Sequence, residues 1–189
     1  NASDWKFPEG SGLNTMAIEC LPDTGPHLLS RSEGLPDSAF QHDGKLTKQE
    51  VRSMVLAKLM PFPEHLLWDV GAGCGSVAIE WMRTHPNCTA IAVERSAERI
   101  EMLRENADSL GTPMLQTVQG EAPGALSDLH QPDAVFLGGG ISMETLERCW
   151  ESLSINGRLV SNAVTLESER VLLEWKSGHG GELSRISIS

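Results

Sequence analysis

The chain has 189 residues and a formal net charge of −11, from 15 Lys and Arg against 26 Asp and Glu. That length supports one domain with a full core, and the acidity excludes a general nucleic-acid-binding surface, which needs a basic face. Apolar runs are strand-sized and no basic leader precedes an apolar segment, so the chain reads as cytoplasmic, without a membrane span or signal peptide.

Residues 1–45 carry Pro8, Pro22, Pro26 and Pro36 among five glycines, without helical periodicity, and read as an extended, partly ordered arm. The first residue is not methionine, and T-M-A-I-E-C-L (Thr15 to Leu21) resembles a stray strand. Both features suggest the tail of a preceding domain, with a second domain over 46–189. Thr47-Lys48-Gln49-Glu50 fits S/T-x-x-E, so Thr47 is expected to cap a helix through Val51, Met54, Val55 and Leu59, which Pro61 and Pro63 close. The four cysteines, Cys20, Cys74, Cys88 and Cys149, lack C-x-x-C or histidine spacing. They read as reduced thiols, with no metal site.

The centre of the chain is L-L-W-D-V-G-A-G-C-G, Leu66 to Gly75. An apolar strand runs directly into Gly71, Ala72, Gly73, Cys74 and Gly75, and a helix follows through Val77, Ala78, Ile79 and Trp81. Glycines at a strand-to-helix turn take positive φ cheaply and let a ligand approach bare backbone. A dinucleotide fingerprint would want glycine at position 76, where Ser76 stands. With Asp69 at the strand end, D-x-G-x-G-x-G suits a ligand with a nucleoside and an amino acid but no phosphate.

A second strand, Thr89 to Val93, ends in Glu94, about 20 residues past the glycines, where an acid reaches ribose hydroxyls. Ser96 caps a helix along Ile100, Leu103, Ala107 and Leu110, ended by Gly111. Met114 to Val118 forms a third strand before Gly120-Glu121-Ala122-Pro123, and Asp133 to Leu137 a fourth before Gly138-Gly139-Gly140. Those three glycines make either room for a bulky substrate or simply a flexible loop. Ser142 opens a helix through Leu146 and Trp150, and Arg158 to Val164 follows as a fifth strand. Thr165 opens a last helix stopped by Gly178, and Glu182 to Ser189 alternates as an edge strand. Strand and helix alternate throughout, which predicts a doubly wound, Rossmann-like α/β sheet with helices on both faces.

The Asp69 to Gly75 loop with Glu94 resembles the class I S-adenosylmethionine-dependent methyltransferases. A narrower likeness rests on H-D-G-K-L-T-K-Q-E-V-R (His42 to Arg52), W-D-V-G-A-G-C-G-S-V-A-I-E (Trp68 to Glu80), G-E-A-P (Gly120 to Pro123), F-L-G-G-G (Phe136 to Gly140) and N-A-V-T-L-E (Asn162 to Glu167). Together, from about Gly34 onward, they resemble the CbiT-like C-terminal half of the CobL family, decarboxylating precorrin-6Y C5,15-methyltransferases of cobalamin biosynthesis. Lys45 and Gly124 depart from that pattern, where a glutamine and a larger residue would be expected.

The resemblance implies S-adenosylmethionine held by Thr47, Asp69, Gly71 to Gly75, Glu94, Gly120, Glu121 and Ala122, with adenine at Glu121 and Ala122. It implies methyl transfer to carbon 15 of a precorrin with loss of the carbon-12 acetate carboxyl. It also implies a fused N-terminal methyltransferase domain, a homo-oligomer such as a tetramer, and a seventh strand for which this sequence has no residues, so the C-terminus reads as cut short. A tetrapyrrole with several carboxylates calls for a local basic rim, expected from His42, Lys48, Arg52 and Arg148, with Gly138, Gly139 and Asn162 also on the substrate side. The alternatives are a small-molecule O- or N-methyltransferase, a domain that binds S-adenosylmethionine without turnover, and a nicotinamide-dependent dehydrogenase.

Overall fold

A computed structural model describes residues 29–187. The strand expected over 15–21 and the first part of the arm lie outside the described residues. Strands β1 (Leu66–Val70), β2 (Thr89–Glu94), β3 (Gln116–Gln119), β4 (Ala134–Leu137) and β5 (Arg158–Ser161) form one sheet in the order β3-β2-β1-β4-β5, with every neighbouring pair parallel. The helices are α1 (Gln49–Leu59), α2 (Ser76–Thr84), α3 (Ala97–Ser109), α4 (Met143–Ser152) and α5 (Leu166–His179).

Successive strand side chains point to opposite faces. Leu67, Ala90, Ala92 and Phe136 pack with Leu56, Ala78, Trp81 and Leu103 of α1, α2 and α3. Trp68, Val70, Ile91, Val135 and Leu137 pack on the other face with Leu146, Cys149 and Trp175 of α4 and α5. Helices cover both faces, which is why the central strands are apolar at nearly every position. The strand order reverses between β1 and β4, and the loops leaving their carboxyl ends open a crevice there.

Three helix starts follow the sequence. Ser96 accepts from the Arg99 amide at 3.4 Å and Ser142 from the Thr145 amide at 3.1 Å, while Thr165 and Ser168 bond reciprocally. The expected Thr47 cap does not form. Helix α1 begins at Gln49 with Lys48 in the capping position and no side-chain bond, because the Thr47 carbonyl accepts from the guanidinium of Arg52 and the helix turns one residue later.

Strand β3 starts two residues after the expected point, behind a turn closed by the Leu115 amide on the Thr112 carbonyl at 3.0 Å. Strand β5 ends at Ser161, paired with Leu137 at the end of β4, so residues 162–164 have no strand to pair with. Helix α5 runs through Gly178 and stops at Gly180. The edge strand expected over 182–189 is absent among the described residues, since alternation makes a strand only where a sheet edge pairs with it.

Arg52, expected on a substrate rim, is fully buried. Its Nε donates to Glu80 at 2.5 Å, its Nη atoms to Asp37 and to the carbonyls of Thr47 and Leu35, and its guanidinium lies 4.8 Å from the centre of the Phe40 ring. Glu80 also accepts the amides of Gly34 and Leu35, at 2.6 and 3.0 Å. A buried charge is tolerable only when paired and fully hydrogen-bonded. The Arg52–Glu80 pair meets that condition by fastening residues 34–47 to the body of the domain, with Leu35 and Phe40 in the core.

Candidate functional site

The carboxyl ends of the five strands border a cleft of about 900 Å³. Gly71 and Gly73 line it after β1, Glu94 at the end of β2, Gly120 to Ala122 after β3, Gly138 to Gly140 after β4, and Ser161 to Val164 at the end of β5. Residues 45–48 form one wall.

Gly71 is required on two counts. Its φ is +73°, and a Cβ there would sit 2.7 Å from the amide nitrogen of Gly139. The loops after β1 and β4 therefore meet backbone to backbone, which is one physical reason for glycine beyond flexibility or room for substrate.

The loop amides are mostly committed. Those of Gly71 and Ala72 donate to the Val93 carbonyl at 2.9 and 3.1 Å, that of Gly75 to the Ala72 carbonyl at 2.9 Å, and that of Gly73 to Glu94 Oε2 at 2.9 Å. At the start of α2 the Ala78 amide donates to Asp69 Oδ2 at 3.0 Å. A pyrophosphate cradle needs a row of free N–H groups. This loop spends its donors inward.

Glu94 is 4 % exposed. Its Oε1 accepts from the Ser96 amide at 3.0 Å, so each oxygen takes one backbone amide. A carboxylate oxygen accepts more than one hydrogen bond, and the remaining capacity faces the cleft that Glu94 lines. Asp69 differs. It is buried behind the loop, its Oδ1 has no partner among the described residues, and it does not reach the cleft lining. Burial pushes its carboxyl up to about 7, against the Ala78 hydrogen bond and with a further push from the Glu94 charge.

Cys74 and Gly75 are buried beside Asp69 and lie outside the cleft lining, and burial raises the Cys74 thiol above its ordinary range. Thr47, Gly71, Ala72, Gly73, Glu94, Gly120, Glu121 and Ala122 line this one cleft, and Lys48, Gly138, Gly139 and Asn162 line it with them.

The basic rim is only partly the expected one. His42 is exposed, accepts the Gly44 amide at 3.0 Å, and does not line the cleft. Arg148 lies on α4 over a separate depression with Glu144, Glu147 and Glu151. Cations that do border the cleft include Lys45, Lys48, Arg95, Arg99 and Arg185. Of these Lys48 pairs with Asp37, Arg95 with Glu121, Arg99 with Asp43 and Arg185 with Glu169. Lys45, Arg95, Arg99 and Arg185 were not expected on the rim, although Arg95 directly follows Glu94 and Arg99 sits three residues into a capped helix.

Residues 38–189 match the family described as the precorrin methyltransferase domain. The chain is 47 % identical over 178 residues to the precorrin-6Y C(5,15)-methyltransferase [decarboxylating] of a Sinorhizobium species, covering 94 % of this chain and 43 % of that protein. It is 31 % identical over 142 residues to the probable cobalt-precorrin-6B C(15)-methyltransferase (decarboxylating) of Saccharolobus solfataricus, covering 71 % of each. The chain thus spans less than half the length of the longer relative and most of the shorter one. Among solved structures, the C-terminal domain of precorrin-6Y C5,15-methyltransferase from Rhodobacter capsulatus superposes with a TM-score of 0.79 at 48 % identity, covering 85 % of this chain and 86 % of that one. A S-adenosylmethionine-dependent O-methyltransferase from Thermotoga maritima, at 19 % identity and a TM-score of 0.64, shares the fold alone. The fold is that of the class I methyltransferases, and the chain belongs to the precorrin methyltransferase domain family.

Proposed function

We propose that this domain transfers a methyl group from S-adenosylmethionine to carbon 15 of a precorrin of the 6Y type and releases the carbon-12 acetate carboxyl as carbon dioxide. The carrying observation is the cleft itself: a glycine loop with its amides turned inward, faced by Glu94. Such a seat favours a phosphate-free nucleoside over a dinucleotide. The family assignment and the decarboxylating activity named for its relatives support the same reading.

The residues present fit the cofactor. Glu94 would accept the ribose hydroxyls with its free lone pairs. Glu121 and the Ala122 backbone would hold the adenine edge, while Gly71 to Gly73 and Thr47 would border the amino-acid end. Asp69 and Cys74 would act behind the loop, shaping it without touching ligand. Bound there, S-adenosylmethionine supplies a methyl group already activated on a sulfonium.

The new carbon–carbon bond takes its electron pair from the macrocycle, which also holds the pair left when carbon dioxide departs. The protein need supply no nucleophile; it must align the reactants and exclude water. The Gly138 to Gly140 backbone offers an unobstructed floor for the ring. Lys45, Lys48, Arg95 and Arg185, in place of the rim expected from the sequence, would anchor its carboxylates against the overall charge of −11. The carbon-5 methylation named for the longer relatives would fall to the part of those proteins that this chain does not span, a fused N-terminal methyltransferase domain, and the working assembly would be a cytoplasmic homo-oligomer. Incubation with a C5-methylated precorrin and methyl-labelled S-adenosylmethionine, followed by mass analysis, tests the reading. A product that gains the labelled methyl and loses carbon dioxide supports it; unchanged substrate in the presence of bound cofactor contradicts it.

A further inference from the structure

One face of α3 touches the cleft machinery three times at helical spacing. Arg99, Leu103 and Asn106, at i, i+4 and i+7, lie on one side of the helix. Arg99 reaches out to residues 41–47, the strap along one wall of the cleft: its Nε and Nη2 donate to Asp43 Oδ2 at 3.0 and 2.6 Å. The other Asp43 oxygen accepts the Lys45 amide at 3.0 Å, and the guanidinium holds the Asp43 carboxyl below its ordinary range. Leu103 fills the space beside Gly75, where a Cβ would meet its Cγ at 2.7 Å.

Asn106 makes the third contact, and it is the one that joins the other two. It is 1 % exposed, and its side-chain amide is fully committed. Oδ1 accepts from the Gln41 amide at 2.8 Å, while Nδ2 donates to the Gln41 carbonyl at 2.9 Å and to the Cys74 carbonyl at 3.0 Å. One side chain thereby pins the beginning of the strap and the middle of the glycine loop to the same point on α3. The strap and loop also approach each other directly, since a Cβ on Gly73 would lie 3.6 Å from the Lys45 carbonyl.

We infer that Asn106 is a positioning residue that couples the strap to the glycine loop, so that the two walls of the cofactor seat are set by one amide and loosen together. Only a residue with two N–H donors and an acceptor on one short planar group can make this junction. Aspartate has the shape but cannot donate to two carbonyls; alanine leaves both carbonyls and an amide without their partner. Asn106 does not line the cleft, so it acts through the two segments and not by touching ligand. Its effect on cofactor affinity rests on the proposed S-adenosylmethionine site. Its effect on coupling does not.

The test compares wild type, Asn106→Ala, Asn106→Asp and Asp43→Ala, using S-adenosylhomocysteine as the titrant and amide hydrogen exchange in the ligand-free protein. The expected outcome for both Asn106 variants is faster exchange in residues 41–45 and in 72–76 together, with affinity reduced roughly 10-fold, the size expected when two or three buried hydrogen bonds are lost. Asp43→Ala should speed exchange in the strap alone, with a smaller loss of affinity. Either variant that falls in thermal stability with unchanged affinity and unchanged exchange in 72–76 would show Asn106 to be ordinary packing and overturn the inference. Should Asn106→Ala not fold, the isosteric Asn106→Asp carries the same readouts. A wild type that fails to bind S-adenosylhomocysteine would instead refute the cofactor reading and leave the exchange comparison to decide the coupling.

Discussion

On the β1–β3 side of the cleft, Glu94, Asn106 and the Val93 carbonyl each hold part of the glycine loop, and the acid that lines the cleft is itself 4 % exposed. Across the switch point the β4–β5 side is open: residues 162–164 leave the sheet, Val164 is 92 % exposed, and the Glu169–Arg185 pair lies near the surface. A seat for one invariant ligand gains from being fixed before binding, because less ordering remains when the ligand arrives. A wall for a large, many-armed substrate needs breadth and charge more than rigidity. On the proposed function, the fixed side would be the cofactor's and the open side the substrate's.

The sharpest way to break the fixed side is from below. Arg52→Met should destabilise the fold by about 3–5 kcal/mol, because Glu80 would be left buried without its cation. Urea unfolding measures the loss. A protein of normal stability but poor substrate affinity would return Arg52 to the rim where the sequence had placed it.

Glu94→Gln probes the ligand face of the same side. The amide keeps the shape but loses the charge and half the acceptors, and S-adenosylhomocysteine affinity should fall roughly 10- to 100-fold by calorimetry. Unchanged affinity would mean that Glu94 serves only the loop.

Asp69 provides a pH test of how tightly the loop is backed. Its folded carboxyl titrates at about 7, up from 3.8. Between those values the folded chain keeps a proton that the unfolded chain has released, so this group makes stability fall as pH rises from about 4 to about 7 and then level off. Asp69→Asn should flatten that part of the stability curve measured by denaturant at a series of pH values. An identical slope in the variant would show the carboxyl to be ionised throughout.

On the open side the effects should be smallest. Lys45→Glu and Lys48→Glu are each expected to raise the KM for a polycarboxylate substrate about 3-fold, less at high salt, while Arg148→Glu leaves it unchanged. A larger effect at Arg148 would move the substrate wall to α4.

The glycine loop, Glu94 and the alternation of strands and helices were legible because each depends on local chemistry: positive φ at Gly71, serine and threonine caps at Ser96, Ser142 and Thr165, apolar strands buried on both faces. Arg52 was misread because a cation in an amphipathic pattern looks solvated until the partner 28 residues away, Glu80, is known. The Thr47 cap failed for a more local reason, since the guanidinium of Arg52, five residues on, took its carbonyl. Asn106 carried no signal beyond its polarity in an apolar stripe, Ile100-Leu103-Ala107, and that interruption was the clue available. Strand ends at 161 and 182–187 depended on which edges exist to pair with, which a single sequence does not display.

A crystal structure with S-adenosylhomocysteine bound would show which side seats the cofactor. The ribose is expected on Glu94, the adenine between Glu121 and Ala122, and the amino-acid end along Gly71 to Gly73, with Asp69 and Cys74 untouched behind the loop. Ligand seated on the β4–β5 side, or a cleft that accepts NADH in preference, would contradict this expectation.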